Sequence, residues 1–533
     1  MHRFMSIPAS FRWKLSLALA IVILGDQLFY ENALFGGYIG MFAFAVLLCL
    51  VLGRPSVWAR WQGGVSALLA GLFGFALILD PGLLSWIMFW IALSMAALFG
   101  MATPYDDGWL WFQRLLLHAL RTPVAPLLDM AKWKRVGRRP RQRRFSLRAI
   151  GPLVALPLIG SAVILTLFAI ANPVIADVLA MIEWPDLSAI TPWRIIFWLV
   201  LFALAWSVLR PRVARRLIPT FDGSGDLPLP GVSVASVTLS LILFNMLFAI
   251  QNGLDIAYLS RALPFPAGMT MTEYVHRGAY PLIVTALLAA LFVLVTLRPG
   301  SSTAAVPAIR WLVVVWIFQN LILVGSSVQR TLEYVDTSML TTLRVQALAW
   351  MGLVASGLLF ICWRMLREKS ASWLININLA VASLVLTTFC FVDEGALAAQ
   401  WNVRHAREVT GSGRGLDLCY LYSLGPSALL PLIELEGRPI SPAFKARVQW
   451  VRSDIYATMV QGENSGWWTW RNALRLTTAG EKLKAIKILP LLPGQRNCDG
   501  TLVTANAEPV QTSSPPTPAD VTGQPALTGK QER

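Results

Sequence analysis

The chain has 533 residues, of which 56% are hydrophobic and only 14% are charged, and its mean hydropathy is +0.59. Because a soluble protein carries about a quarter charged residues, this composition excludes an ordinary soluble enzyme and favours many membrane spans. The 5 cysteines and 4 histidines are too few for a zinc-rich or disulfide-knotted scaffold.

Apolar runs close to the length that a bilayer requires recur about eleven times along the chain. They cover residues 15–30, 38–52, 64–79, 82–102, 149–171, 193–209, 232–251, 279–297, 308–328, 345–365 and 373–392. The second and third runs are the weakest, because they are short and rich in glycine. An alternation with period two, which an outer-membrane barrel needs, is absent. The sequence therefore predicts an all-α, polytopic bundle of about eleven transmembrane helices over residues 1–394.

The first run has two interpretations. Arg3, Arg12 and Lys14 precede a short apolar stretch, which resembles a cleaved signal peptide. The apolar character resumes through residues 28–30, which favours an uncleaved first helix. In both cases the segment that follows begins outside the cytoplasm.

Lysine and arginine concentrate in alternate loops, which predicts that these loops and the N-terminus are cytoplasmic. The longest such loop, residues 103–148, begins with an amphipathic stretch over 109–118 that is suited to the membrane interface. Its strongly basic part comprises Lys132, Lys134, Arg135, Arg138, Arg139, Arg141, Arg143 and Arg144. A pI near 10 would suggest nucleic acid in a soluble protein. Between membrane spans the expected partner is instead anionic lipid headgroups, or the run is only a topological anchor.

Polar and ionisable residues gather at the predicted outer ends of the spans, beginning with Asp26 at the end of the first. Ionisable groups inside spans are costly and therefore mark candidate sites. Three interpretations are open: ordinary helix ends that meet water, a polar ligand-binding cavity, or a catalytic site. Burial of such charges requires that they pair.

Several of these residues also carry a resemblance. The segments 244–255, 263–278, 327–330, 401–404 and 416–421, together with 25–29 and 171–173, resemble those of a bacterial multi-pass family named domain of unknown function 4173. The resemblance covers roughly residues 15–490. It implies no activity, since that family has none established. It implies that the family's motif positions are Asn245, Asp255, Glu273, Tyr274, Arg277, Arg330, Tyr334, Arg344, Asp393 and Asn402.

After residue 394 the composition becomes mixed, with amphipathic helical patterns over 416–423, 442–461 and 467–488. The sequence predicts a small extracytoplasmic α-helical domain over 395–500 and a disordered tail over 501–533. Cys419 and Cys498 are the cysteines outside the predicted spans. In an oxidising space they could form a disulfide, although sequence gives no distance between them.

The sequence lacks the common catalytic motifs: a phosphate loop, HExxH, a CxxC pair and a GxSxG elbow. His276 and His405 alone do not make a metal site, and no cofactor is predicted. The leading hypothesis is a non-enzymatic protein for sensing, assembly or accessory work at the envelope. The alternatives are a secondary transporter or permease, which needs polar groups at the membrane midplane, and a membrane-embedded enzyme acting on a lipid-linked or envelope substrate.

Overall fold

The computed structural model describes residues 7–101 and 104–129, then 191–260 without 215, 221–224 and 226–232. It also describes parts of 285–298, then 300–486 without 485, and 493–503. It is about 79% helical with almost no strand, as the all-α prediction requires.

The first half of the structure consists of helices joined by short connections. A π-helical turn, Asp26–Glu31, extends the first helix, and a two-residue strand, β1 (Phe35–Gly36), follows it. The helices are α1 (Ile7–Gly25), α2 (Tyr38–Gly53), α3 (Trp61–Leu79), α4 (Leu83–Phe99), α5 (Gly108–Arg121) and α6 (Pro192–Leu209).

The second half contains longer helices and then a group of shorter ones. The long section comprises α7 (Val234–Leu259), α8 (Ser302–Ala305), α9 (Pro307–Ser338), α10 (Thr342–Leu366) and α11 (Ala371–Phe391). The C-terminal domain comprises α12 (Glu394–His405), α13 (Arg407–Thr410), α14 (Leu418–Ser423), α15 (Leu429–Glu436), α16 (Pro442–Asn464), β2 (Trp467–Trp468) and α17 (Trp470–Leu483).

Seven helices of the described part are long and apolar enough to cross a membrane. They are Ser10–Glu31, Trp61–Leu79, Pro192–Leu209, Val234–Ala257, Pro307–Ser338, Thr342–Leu366 and Ala371–Phe391. Two further predicted spans correspond to the shorter apolar helices α2 and α4. The predicted span 149–171 lies outside the described residues, as does most of 279–297. The total of about eleven therefore stays a prediction.

Two apolar cores hold these helices together. The first lies between α1, α2, α3, α4 and α6, and Leu50 and Phe89 are fully buried in it. Glycine allows α2 and α3 to approach closely, because a Cβ on Gly40 would lie 2.5 Å from the backbone nitrogen of Ile78. The second core lies between α7, α9 and α10. Helix α11 joins the two, since its end contributes Cys390 to the first core and its start contributes to the second.

The helices place two chemically different ends on the bundle. We call the end where α1, α3, α9 and α11 finish the domain end, because the C-terminal domain packs there. The other end, where α1 and α3 begin and α2 and α6 finish, is the opposite end. Helices α7 and α9 run parallel, since Asn245 contacts Leu312 and Asn252 contacts Gln319 in the same register.

The C-terminal domain has its own apolar core, centred on Leu421, Leu432 and Val448. It also encloses one ion pair, in which Arg452 donates to Glu436 at 2.7 Å, and both side chains are almost completely buried. Four of its helices, α12, α14, α16 and α17, begin where a polar side chain accepts a backbone N–H bond, which is the usual way a helix start is capped.

Candidate functional site

The first polar group at the domain end joins the end of α1 to the start of α6. Arg194 forms a bidentate pair with Asp26, donating from Nε at 2.8 Å and from Nη2 at 2.6 Å. Arg194 also pairs with Glu31, and Trp198 donates to Asp26 at 2.8 Å. The π-helical turn brings Tyr30 to the same guanidinium, whose carbon lies 5.0 Å from the ring centre. Two carboxylates and two aromatic rings therefore enclose this arginine.

A second polar group lies deep between α7 and α9. Asp255 and Arg330 form an ion pair whose side chains are only 4% and 6% exposed. Gln251 and Ser326 donate to the Asp255 carboxylate at 3.0 Å and 3.1 Å. The Asp255 carboxylate is therefore engaged by two hydrogen-bond donors and one ion pair, and it is buried between the two helices.

A line of amide side chains continues from this pair along the α7–α9 contact. Asn245 and Asn252 donate to backbone carbonyls of α9 at 3.1 Å, which ties the two helices together. Four amide oxygens of this line are buried and have no hydrogen-bond partner among the residues that the structure describes, those of Asn245, Asn252, Gln319 and Asn320. We call these four residues the amide seam.

A third polar group holds the connection between α9 and α10. Asn402 of α12 forms a two-way pair with the Leu340 backbone, accepting from its N–H at 2.7 Å and donating to its carbonyl at 2.8 Å. Arg344 donates to the Ser338 carbonyl at 2.9 Å, and its guanidinium carbon lies 4.0 Å from the Tyr334 ring centre. These contacts fix a turn in which Met339 has a φ of 67°. This backbone conformation is unfavourable for residues other than glycine.

A fourth group attaches α17 to the bundle. Asp393 caps α12, accepts from Ser427 at 2.9 Å and pairs with Arg475. Burial lowers the pKa of Arg475, and the nearby charge of Asp80 opposes this effect. One turn earlier, Arg471 lies 3.1 Å from Asp80 and donates to the Phe391 carbonyl at 2.7 Å.

A short parallel pairing of β1 with β2 adds a further attachment. Phe35 is aligned with Trp467, and Gly36 with Trp468. Gly36 has a φ of +70°, and a Cβ there would lie 2.3 Å from the Trp468 carbonyl oxygen. Only glycine fits this approach, so the C-terminal domain rests directly on the first connection of the bundle.

Those predicted polar residues that the structure describes therefore lie in four separate groups at the domain end rather than around one shared cavity. Glu273, Tyr274, Arg277 and the basic residues Lys132, Lys134, Arg135, Arg138, Arg139, Arg141, Arg143 and Arg144 lie outside the described residues. In the described part, no three His, Cys, Asp or Glu side chains are placed to hold a metal ion. His405 stacks on Trp401 and donates to its carbonyl at 2.9 Å.

The structure adds residues that the candidate set lacked, chiefly Arg194, Arg471 and Arg475. Arg471 and Arg475 lie on the strongly amphipathic helix α17. This amphipathic pattern is the sequence feature from which they could have been predicted to face the bundle. Cys419 and Cys498 form a disulfide with Cα atoms 4.8 Å apart. It closes a loop with a sequence separation of 79 residues and ties α14 to the last described segment.

Comparison with known families identifies the chain. The family described as Domain of unknown function (DUF4153) matches residues 41–435. The chain belongs to DUF4153. The matched region of this DUF4153 protein holds the amide seam, the Asp255–Arg330 pair and Asn402, while Asp26 and Arg475 lie outside it. The narrower resemblance to family 4173 stays a prediction. No curated protein and no solved structure matches the chain.

Proposed function

We propose that this DUF4153 protein is a non-enzymatic, multi-pass protein of a bacterial inner membrane that serves sensing, assembly or accessory work at the envelope. Its N-terminus is cytoplasmic and its C-terminal domain faces outwards. One observation carries the proposal: the charged residues at the domain end are engaged in joining the C-terminal domain and the helices to one another.

The chemistry of these pairs supports a structural use. A general acid or base must exchange a proton with a substrate and needs room for it. Asp26 instead accepts hydrogen bonds from Arg194 and Trp198. Asp255 accepts from Ser326 and forms an ion pair with Arg330, and Asp393 is shared between Ser427 and Arg475. These carboxylates hold helices at fixed distances, which suits a protein that presents or senses through a rigidly attached domain.

The orientation rests on independent features of the two ends. Disulfides persist in oxidising compartments, so the Cys419–Cys498 bond favours an extracytoplasmic domain. Lysine and arginine at the opposite end agree with a cytoplasmic surface. Exposed tryptophans occur at both ends, including Trp467 at the domain end and Trp61 at the opposite end, as membrane interfaces favour.

The amide seam favours a second candidate function, a secondary transporter or permease. Buried oxygen atoms without donors are unusual in native proteins and are costly in an apolar environment. Four of them along one helix contact could line a path for a cation or a polar solute. The enzyme alternative has no comparable support from the residues described.

Reporter fusions test the orientation. Alkaline phosphatase attached after residue 533 of the full chain should be active, and green fluorescent protein at the same place should be dark. Both reporters attached before residue 1 should give the reverse pattern. A fluorescent, phosphatase-negative C-terminus would overturn the proposed orientation.

Metabolite and lipid profiling of a deletion strain separates the functions. A non-enzymatic envelope protein should leave the small-molecule pools without one dominant change, while envelope integrity falls and returns on complementation. Accumulation of a single lipid precursor would support an enzyme, and accumulation of a single solute would support transport. In the transport case, Asn320→Leu should abolish complementation while protein abundance stays normal.

A further inference from the structure

A cavity of about 500 Å³ opens at the opposite end of the bundle. It lies between the start of α1, the connection after α2 and the segment after α6. Its charged lining consists of Lys14, Arg54, Arg210, Arg212 and Asp129. Four bases thus face one acid, which leaves a formal excess of three positive charges.

The single carboxylate is already shared. Asp129 accepts from Arg212 at 2.5 Å and from the Trp206 indole at 3.1 Å, and Arg210 lies 3.6 Å away. Arg210 is also held between aromatic rings, 5.3 Å from that of Phe11 and 5.7 Å from that of Trp206. These contacts position two guanidinium groups at the wall of the cavity.

Arg54 and Lys14 have no such partner. Among the residues that the structure describes, neither side chain makes an ion pair or a hydrogen bond, although Arg54 is only 6% exposed. Burial lowers the pKa of Arg54 to about 10. Burial of the His118 imidazole also lowers its pKa, and the charge of Arg54 adds to this effect, so that the pKa of His118 is about 4. A buried guanidinium without a counter-charge is costly, so an anion in this cavity would stabilise the fold.

Exposed tryptophans occur at the same end of the bundle as the cavity. Trp13, Trp58 and Trp61 surround this end and are 44%, 54% and 75% exposed. Trp13 also donates to the Leu52 carbonyl, which ties the start of α1 to the end of α2. Tryptophans in such numbers mark the headgroup layer, where phosphate is the abundant anion.

We infer that this cavity binds a phosphate group, supplied by an anionic phospholipid of the adjacent leaflet. Arginine forks match the geometry of phosphate oxygens, and lysine adds a point charge. Basic pockets between transmembrane helices on the cytoplasmic side are suited to lipid headgroups. None of the lining residues belongs to the basic run 132–144 of the sequence, and the inference does not depend on the proposed envelope role.

The test measures thermal unfolding of the purified full chain in detergent. Wild-type protein, the double variant Lys14→Gln/Arg54→Gln and the matched variant Arg12→Gln are each titrated with phosphatidylglycerol, cardiolipin, phosphatidylcholine or inorganic phosphate. Arg12 is exposed on the same helix and does not line the cavity. Each ligand that binds the folded state raises Tm with its concentration.

Phosphatidylglycerol and cardiolipin should raise the Tm of the wild type and of Arg12→Gln, while phosphatidylcholine should not. In the double variant the apparent affinity should fall about thirtyfold, as expected for two lost charges near a membrane surface. Without lipid, the double variant should be at least as stable as the wild type, because like charges have been removed. A purely structural role would lower Tm in every condition.

Comparison of the lipid titrations with the inorganic phosphate titration also identifies the source of the phosphate. A shift by anionic lipid alone supports the lipid, whereas an equal shift by inorganic phosphate supports a free phosphate in the same cavity. Equal shifts in the wild type and the double variant would overturn the site. An equal loss in Arg12→Gln would also overturn it, since the effect would then be a general surface attraction.

Discussion

The two ends of the bundle use arginine in opposite ways. At the domain end, Arg194, Arg330, Arg471 and Arg475 each face a carboxylate of another element. At the opposite end, the cavity around Arg54 contains four bases and one acid. Paired charges between helices fix the structure, whereas a buried base without a counter-charge leaves a place for an external anion. The difference separates residues that build this protein from residues that bind.

The largest effect should follow from breaking the deepest pair. Arg330→Met leaves the Asp255 carboxylate buried without its cation and should cost about 3–5 kcal/mol of unfolding free energy. Abundance in membranes and Tm in detergent measure it. The double variant Asp255→Leu/Arg330→Met should recover most of the loss. If the double variant is as unstable as the single one, the pair is not what holds α7 to α9.

Loss of the disulfide should destabilise the C-terminal domain next most strongly. Cys419→Ser should cost about 2–5 kcal/mol, because the open chain regains the freedom of the loop that the bond closes. Limited proteolysis measures the effect, and Cys419→Ser/Cys498→Ser should be no worse than either single variant. Cys362→Ser is the control, since that cysteine is free. Additive losses would mean that each thiol contributes by itself.

The pH dependence of stability should reveal the burial of His118, to which the charge of Arg54 adds. The pKa of His118 in the folded protein is about 4, whereas 6.5 is the ordinary value. Between these values the unfolded chain binds more protons, so stability is complete above pH 6.5 and falls towards pH 4, by up to about 3 kcal/mol. His118→Gln should flatten this slope in thermal unfolding. An unchanged slope in this variant would contradict the assignment.

A smaller effect is expected at the α9–α10 connection. Asn402→Ala removes both hydrogen bonds to the Leu340 backbone and should cost about 1–3 kcal/mol. Hydrogen exchange should rise at residues 338–342 while the exchange in the middle of α9 stays unchanged. Asn464→Ala, at an exposed end of α16, is the matched control. Unchanged exchange at the connection would show that α12 does not hold it.

The sequence predicted most helices and the polar residues at their ends, but it did not predict which of these residues pair with one another. Apolar length predicted α7, α9, α10 and α11, and the amphipathic pattern after residue 442 predicted α16. The sequence also placed Asp26 and Asp393 at helix ends. It could not show that Asp26 meets Arg194, because 168 residues separate them and only packing sets that distance. The cavity around Arg54 was missed for the same reason, since its bases come from three distant segments.

The pairing of Phe35 with Trp467 has a consequence for biogenesis. The first connection of the bundle emerges early in synthesis, yet the strand that completes it is made more than 400 residues later. At about 5–20 residues per second, the ribosome needs tens of seconds to reach it. During that interval the edge at Phe35 lacks its native neighbour. The pairing of β1 with β2 can therefore form only after the C-terminal domain has been synthesised and has reached the same side of the membrane as β1.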